Sequence, residues 1–157
     1  DSAHAPALLE AAEREDGYEF ELAVDPALAR WRYTPAVAAW RARLGDAAAA
    51  LPARISAAES LGAVGATDAA DALIVLALDA AAPASLRLAA GDALGAMPSP
   101  VPIGAASPLL VSGAPVLDRL IAAKWLRGNA ESVGELSALV RGDDPAVAAE
   151  AARSLLA

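Results

Sequence analysis

Apolar residues recur along this chain at intervals of three and four over stretches of about three turns, the spacing that lines one face of a helix. Breaks in that pattern fall at glycines and prolines. They predict a short helix over residues 6–14, one beginning at Asp25-Pro26, and one from Thr34-Pro35 to about Leu44 with Gly45 as its stop. Further helices are expected at about 52–61, 69–78, 84–95, 115–127, 132–141 and 145–156. One stretch reads differently. Residues 18–24 (Tyr-Glu-Phe-Glu-Leu-Ala-Val) alternate apolar and polar, the period of a half-buried strand, so a short strand and a helical extension are both open there. Pro98, Pro100, Pro102, Pro108 and Gly104 crowd residues 99–111. Proline removes a backbone donor and clashes one turn back, so that segment should be the most irregular of the chain.

The helices repeat. Arg54-Ile55-Ser56-Ala57-Ala58-Glu59-Ser60-Leu61 returns as a pattern, Arg-x-x-Ala-(Ala/Gly)-x-x-Leu, from Arg87 and from Arg119, and in weakened form from Ala148, in steps of 33, 32 and 29 residues. A period of that size belongs to stacked helix pairs, each too small to bury its apolar face alone. Positions +3 and +7 from the arginine share a face, so Ala57/Leu61, Ala90/Leu94, Ala122/Leu126 and Ala151/Leu155 are expected to form one buried seam. The three arginines should stack in register, their heads free to reach acids or helix C-terminal carbonyls. Gly62 and Gly95 are expected in the left-handed conformation that closes a helix. The fold class that follows is mostly α: an α-solenoid of about 3.5 helix pairs over residues 51–157, preceded by an acidic N-terminal segment with capping helices over 1–50.

Residues 51–97, with Pro-Ala-Arg-Ile-Ser-Ala-Ala-Glu-Ser-Leu-Gly-Ala-Val-Gly-Ala-Thr-Asp-Ala-Ala-Asp-Ala-Leu-Ile at their start, resemble HEAT-like repeats of the short bacterial type named after phycobilisome lyases. That resemblance implies protein contact as the usual role, with bilin-lyase-like or small-ligand binding as an alternative. A fainter one joins Asp25-Pro26, Trp31, Trp40, Leu44 and Arg54-Ile55-Ser56-Ala57-Ala58, an order similar to the junction leading into the helical C-terminal region of bacterial M1-type aminopeptidases. It implies an accessory domain of such a metallopeptidase. The His-Glu-x-x-His helix of that family is absent from this chain.

Composition narrows the chemistry. The apolar fraction is 57%, yet the longest apolar runs, such as residues 73–78, fall far short of the ~18 residues a membrane span needs, so a soluble domain is expected. Eleven of twelve basic residues are arginine, the bias of a GC-rich bacterial coding sequence. With no cysteine and one histidine, His4, the sequence offers neither thiol chemistry nor a set of nitrogen and sulfur metal ligands, and no base for a Ser-His-Asp triad. No cofactor and no catalysis are expected. The net charge of −8 is concentrated in residues 1–25, which carry −7, leaving a repeat body near neutrality and poorly suited to nucleic acid. The chain begins at Asp1 without an initiator methionine or an apolar signal core, so an N-terminal stretch is expected to have been removed and the compartment is not read.

Two surfaces are candidates for contact with another protein or another domain. On the second helix of the first repeat, Asp71, Val75 and Leu78 fall outward; Val75 and Leu78 place apolar residues on a face where polar ones are expected, and Ile103 and Leu109 continue the patch one repeat on. The other candidate is a polar and aromatic cluster, Arg30, Trp31, Arg32, Trp40, Arg41 and Arg43, read either as a cap on the first repeat or as a stacking and phosphate-contact patch. The acidic N-terminal segment is expected to lie against these arginines. Arg141-Gly142-Asp143 is explained by a helix end followed by the Asp144-Pro145 start of the next.

Overall fold

In the computed structural model, which describes residues 2–14, 18–98 and 102–157, the chain is a stack of helix pairs with no strand among those residues. The helices are α1 (Ala5–Arg14), α2 (Tyr18–Arg30), α3 (Val37–Gly45), α4 (Leu51–Val64), α5 (Ala70–Leu78), α6 (Ala84–Ala96), α7 (Val116–Trp125), α8 (Val133–Val140) and α9 (Pro145–Leu155). First helices α2, α4, α6, α7 and α9 pack one on the next, and second helices α3, α5 and α8 lie against the first helix that follows each of them.

The seam runs through Ala57, Leu61, Ala90, Leu94, Ala122, Leu126 and Ala151, all buried. Leu155 departs from it at 38% exposed, because among the described residues no helix packs on that end of α9. The seam also extends one unit further than the repeat motif does. Val24 and Leu28, each 33 residues before Ala57 and Leu61, are buried in α2, while Glu21 stands where the later units have arginine. Residues 18–24 are therefore helix. Their alternation also places Phe20, Val24 and Leu28 four residues apart, and contact with α4 selects that helical face. Asp25 and Pro26 lie inside α2 instead of starting it. Among the described residues, 51–157 hold the expected 3.5 pairs, and α2–α3, expected only as capping helices, adds one more pair ahead of them.

The glycine expectation is corrected as well. Gly62 and Gly95 are inside α4 and α6, and the left-handed closing residue is Gly65, at φ 71°. A Cβ on Gly62 would stand 2.5 Å from the Ala93 Cα, and one on Gly95 would run into the Lys124 carbonyl oxygen. These glycines set how closely neighbouring first helices approach.

The arginines of the motif reach back to helix ends. Nε and Nη2 of Arg54 both donate to the Leu44 carbonyl at 3.2 Å, and Arg87 Nε donates to the Ala77 carbonyl at 3.1 Å. Each thereby serves an orphan carbonyl in the last turn of the preceding second helix. Arg119 lacks that partner: its Nε is buried and unpaired among the described residues, opposite the proline-broken return segment, which forms only a 3₁₀ helix, Ile103–Leu109. At the other end of the array Asp144 caps α9, accepting from the amides of Ala146 and Val147 at 3.0 Å.

Candidate docking groove

Between α3 and α5 the surface opens into a groove of about 410 Å³, lined by Arg41, Leu44 and Gly45 of α3, Arg54 of α4, and Asp71, Ala72, Val75, Leu76 and Asp79 on the α5 side. Gly45 ends α3 with nothing within 4 Å of its Cβ direction, so no side chain fills the gap. Val75 stands beside this opening at 69% exposed.

Val75 is anomalous by comparison with its own repeats. The buried anchors of the three regular second helices are Trp40, Leu73 and Leu136. Counting from them, the positions equivalent to Val75 are Ala42 in α3 and Ala138 in α8, both exposed alanines. The outward position thus tolerates a methyl group in the sister helices and carries a β-branched side chain only in α5. Isolated exposed apolar residues are common and need no explanation. One that borders a groove, at a position otherwise kept small, is a different observation.

The electrostatics of the groove are asymmetric. Arg41 pairs with Asp68 at 2.8 Å, and Arg54 is held by the Leu44 carbonyl. Asp71 has no ion pair and no hydrogen bond from its side chain among the described residues, and Asp79 gives one oxygen to the Ala81 amide at 2.9 Å.

The other expected contact residues divide differently. Leu78 is half-buried against the core and Ile103 is also half-buried, while Leu109 is 3% exposed. Leu109 is corrected to a core residue, since the 3₁₀ helix turns it inward, and it adds nothing to an exposed patch one repeat on. Val101 lies outside the described residues. In the arginine–aromatic cluster, Trp40 is fully buried and donates its indole N–H to Asp25 Oδ1 at 2.8 Å. Asp25, itself 1% exposed, also accepts from Arg43 Nη1 at 2.5 Å and Ser56 Oγ at 3.0 Å, and Arg43 reaches Glu21 at 2.8 Å. Trp40 and Arg43 therefore tie α2, α3 and α4 together, and Trp40 presents no contact surface. Arg30 and Arg32 are exposed without ion pairs among the described residues, Trp31 is half-buried, and Arg32 takes φ 52° at the end of α2. Among the described residues the acidic segment meets the cluster through Glu21 and Asp25, which pair with Arg43, and through Asp25, which also takes the Trp40 indole.

Leu44, Gly45, Arg54, Ala72, Leu76 and Asp79 complete the groove and were not among the expected contact residues. Only the comparison of equivalent positions in α3, α5 and α8 could have pointed there, and the sequence motif does not extend into the second helices.

This architecture is an α-solenoid of HEAT-like helix pairs. No family model matches the sequence, and no curated protein is significantly similar to it. A chain of the complex of CpcE and CpcF of phycocyanin lyase from Nostoc sp. is similar in structure, with a TM-score of 0.68 and 22% identity. The match covers 96% of this chain and 63% of that one, so the present chain spans less than two thirds of its neighbour's length. At that identity the likeness is one of fold. It gives the metallopeptidase alternative no support. Among the described residues no helix is long and apolar enough to cross a membrane.

Proposed function

We propose that this chain is a protein-interaction module without chemistry of its own, and that it docks a partner protein or a partner domain through the groove between α3 and α5. The observation that carries the reading is Val75: an exposed β-branched residue at a position held to alanine in α3 and α8, beside an unfilled groove. Burying such a side chain in a partner contributes about 1.5 to 3 kcal/mol. Support of a general kind comes from the neighbouring structure, whose chain is one of two proteins in a complex. The test is an affinity capture with three baits: wild type, Val75→Glu, and Val133→Glu, whose residue is also exposed but lies at the start of α8. A protein retained by wild type and Val133→Glu and lost with Val75→Glu supports the reading. Retention patterns that do not depend on residue 75 contradict it.

A second reading follows from the same neighbour, a bilin-lyase-like or small-ligand-binding protein. It predicts a shift in a bilin's absorption spectrum on mixing with the chain, and an unchanged spectrum removes it.

A further inference from the structure

We infer that the partner of the α3–α5 groove is a basic amphipathic helix that presents an apolar residue between two cations at one-turn spacing. The inference rests on the docking reading above and adds the chemistry of what docks. Asp71, Val75 and Asp79 follow one another four residues apart, so the two acids flank the exposed valine along one face of α5 and its C-terminal cap.

The repeats again supply an internal control. In α3 the equivalent positions are Ala38, Ala42 and Asp46, and in α8 they are Gly134, Ala138 and Gly142. Asp46 and Asp79 make the same turn, each accepting from the amide two residues on, so Asp79 has a structural duty and offers the groove only its second oxygen. Asp71 accepts no such hydrogen bond; it lies in the first turn of α5, where the helix dipole favours a carboxylate and leaves both of its oxygens free among the described residues. Neither α3 nor α8 carries an acid at the position of Asp71 or a branched residue at that of Val75, and the combination belongs to α5 alone.

The placement of Asp79 is costly for the isolated chain. Asp79 sits at the negative end of the α5 dipole, where a carboxylate is disfavoured and a cation would be stabilised. No cation lies within ion-pair distance of Asp71 or Asp79 among the described residues. Of the two arginines in the groove, Arg41 is paired with Asp68, and Arg54 is turned to the Leu44 carbonyl by two hydrogen bonds. A partner with Lys or Arg one turn either side of a Leu, Ile, Val or Met would meet both carboxylates while burying its apolar residue against Val75, Ala72 and Leu76. An acidic helix would meet two unpaired carboxylates at close range.

The experiment is a selection from a displayed library of single helices with randomised surface positions, taken against the wild-type chain and counter-selected against Val75→Glu. The expected winners carry Lys or Arg four residues before and four after an apolar residue. Their affinity should fall about tenfold or more on Asp71→Lys, with Asp79→Asn, which preserves the turn, giving a smaller loss. Glu131→Lys makes the same charge change on another face and should leave affinity within about threefold at physiological salt, where the Debye length is about 8 Å. Val75-dependent winners with neutral or acidic flanks, or winners indifferent to Asp71→Lys, overturn the basic-helix inference and leave docking intact. A selection that yields no Val75-dependent helix overturns the helical partner, and docking itself then stands or falls with the capture by wild type against Val75→Glu.

Discussion

Replacing Gly95 by alanine should destabilise the fold although it adds a better helix former to the interior of α6. Helix propensity alone favours the change by about 0.8 to 1 kcal/mol. The new methyl carbon, however, would run into the Lys124 carbonyl oxygen and stand 3.3 Å from that of Trp125, both of them backbone atoms that no side-chain rotation can move aside. α6 and α7 would have to separate, and overpacking of this kind costs about 1 to 3 kcal/mol beyond what the backbone gains. Gly62→Ala faces the same obstacle, since its methyl would lie 2.5 Å from the Ala93 Cα. Gly134, inside α8, has nothing within 4 Å of its Cβ direction, so Gly134→Ala should stabilise by roughly the propensity term. Thermal melts of the three variants give the comparison, with about 1 kcal/mol corresponding to about 2 to 4 °C in a chain of this size. Gly95→Ala and Gly62→Ala should lower Tm and Gly134→Ala should raise it. A rise for all three would show that first helices are not held at glycine-limited distance.

Three other outcomes follow from particular residues. Leu94→Ala should cost about 2 to 5 kcal/mol while Leu155→Ala costs about 0.5 or less, because only Leu94 is buried; equal losses in urea unfolding would mean that the seam continues past α9. Arg32→Gly should raise stability by about 1 kcal/mol, since φ 52° strains a residue with a Cβ, and an unchanged melt would mean the turn relaxes in solution. Partial burial, and after it the charge of Asp92, raises the Glu59 carboxyl above its ordinary value of 4.5. The folded chain then binds that proton more tightly than the unfolded one, so stability falls as pH rises from 4.5 through the raised folded pKa and is constant above it. Glu59→Gln should accordingly raise Tm at pH 7, the gain shrinking as pH falls through the raised pKa of the folded chain and gone below about pH 4.5. A gain that persists unchanged in acid would assign it to something other than ionisation.

The array was legible in the sequence where burial is forced by a repeated small–large pair: Ala57/Leu61, Ala90/Leu94 and Ala122/Leu126 announce one seam because no other arrangement hides them all. The first unit escaped notice for two local reasons. Glu21 replaces the arginine and Pro26 imitates a helix start, and both are compensated by tertiary contacts: Glu21 with Asp25 holds Arg43, and Asp25 also takes the indole of Trp40. Gly62 and Gly95 were misread because a glycine near a helix end carries the same local signal whether it turns the chain or admits a neighbour. At the candidate site, helical spacing was enough to turn Asp71 and Val75 outward. It was silent on the groove itself, which depends on where α3 stops, and Leu109 was expected outward because its proline-broken segment showed no helical period, whereas a 3₁₀ helix forms there and buries it.

The most direct test of the docking account is the affinity of the captured partner for wild type and for Val75→Glu, measured alongside the melting temperature of each. Val75 is 69% exposed, so the account predicts a Tm within about 2 to 4 °C of wild type and an affinity at least about tenfold weaker. An unchanged affinity would contradict the groove as the docking site, and a variant that unfolds would place Val75 in the core.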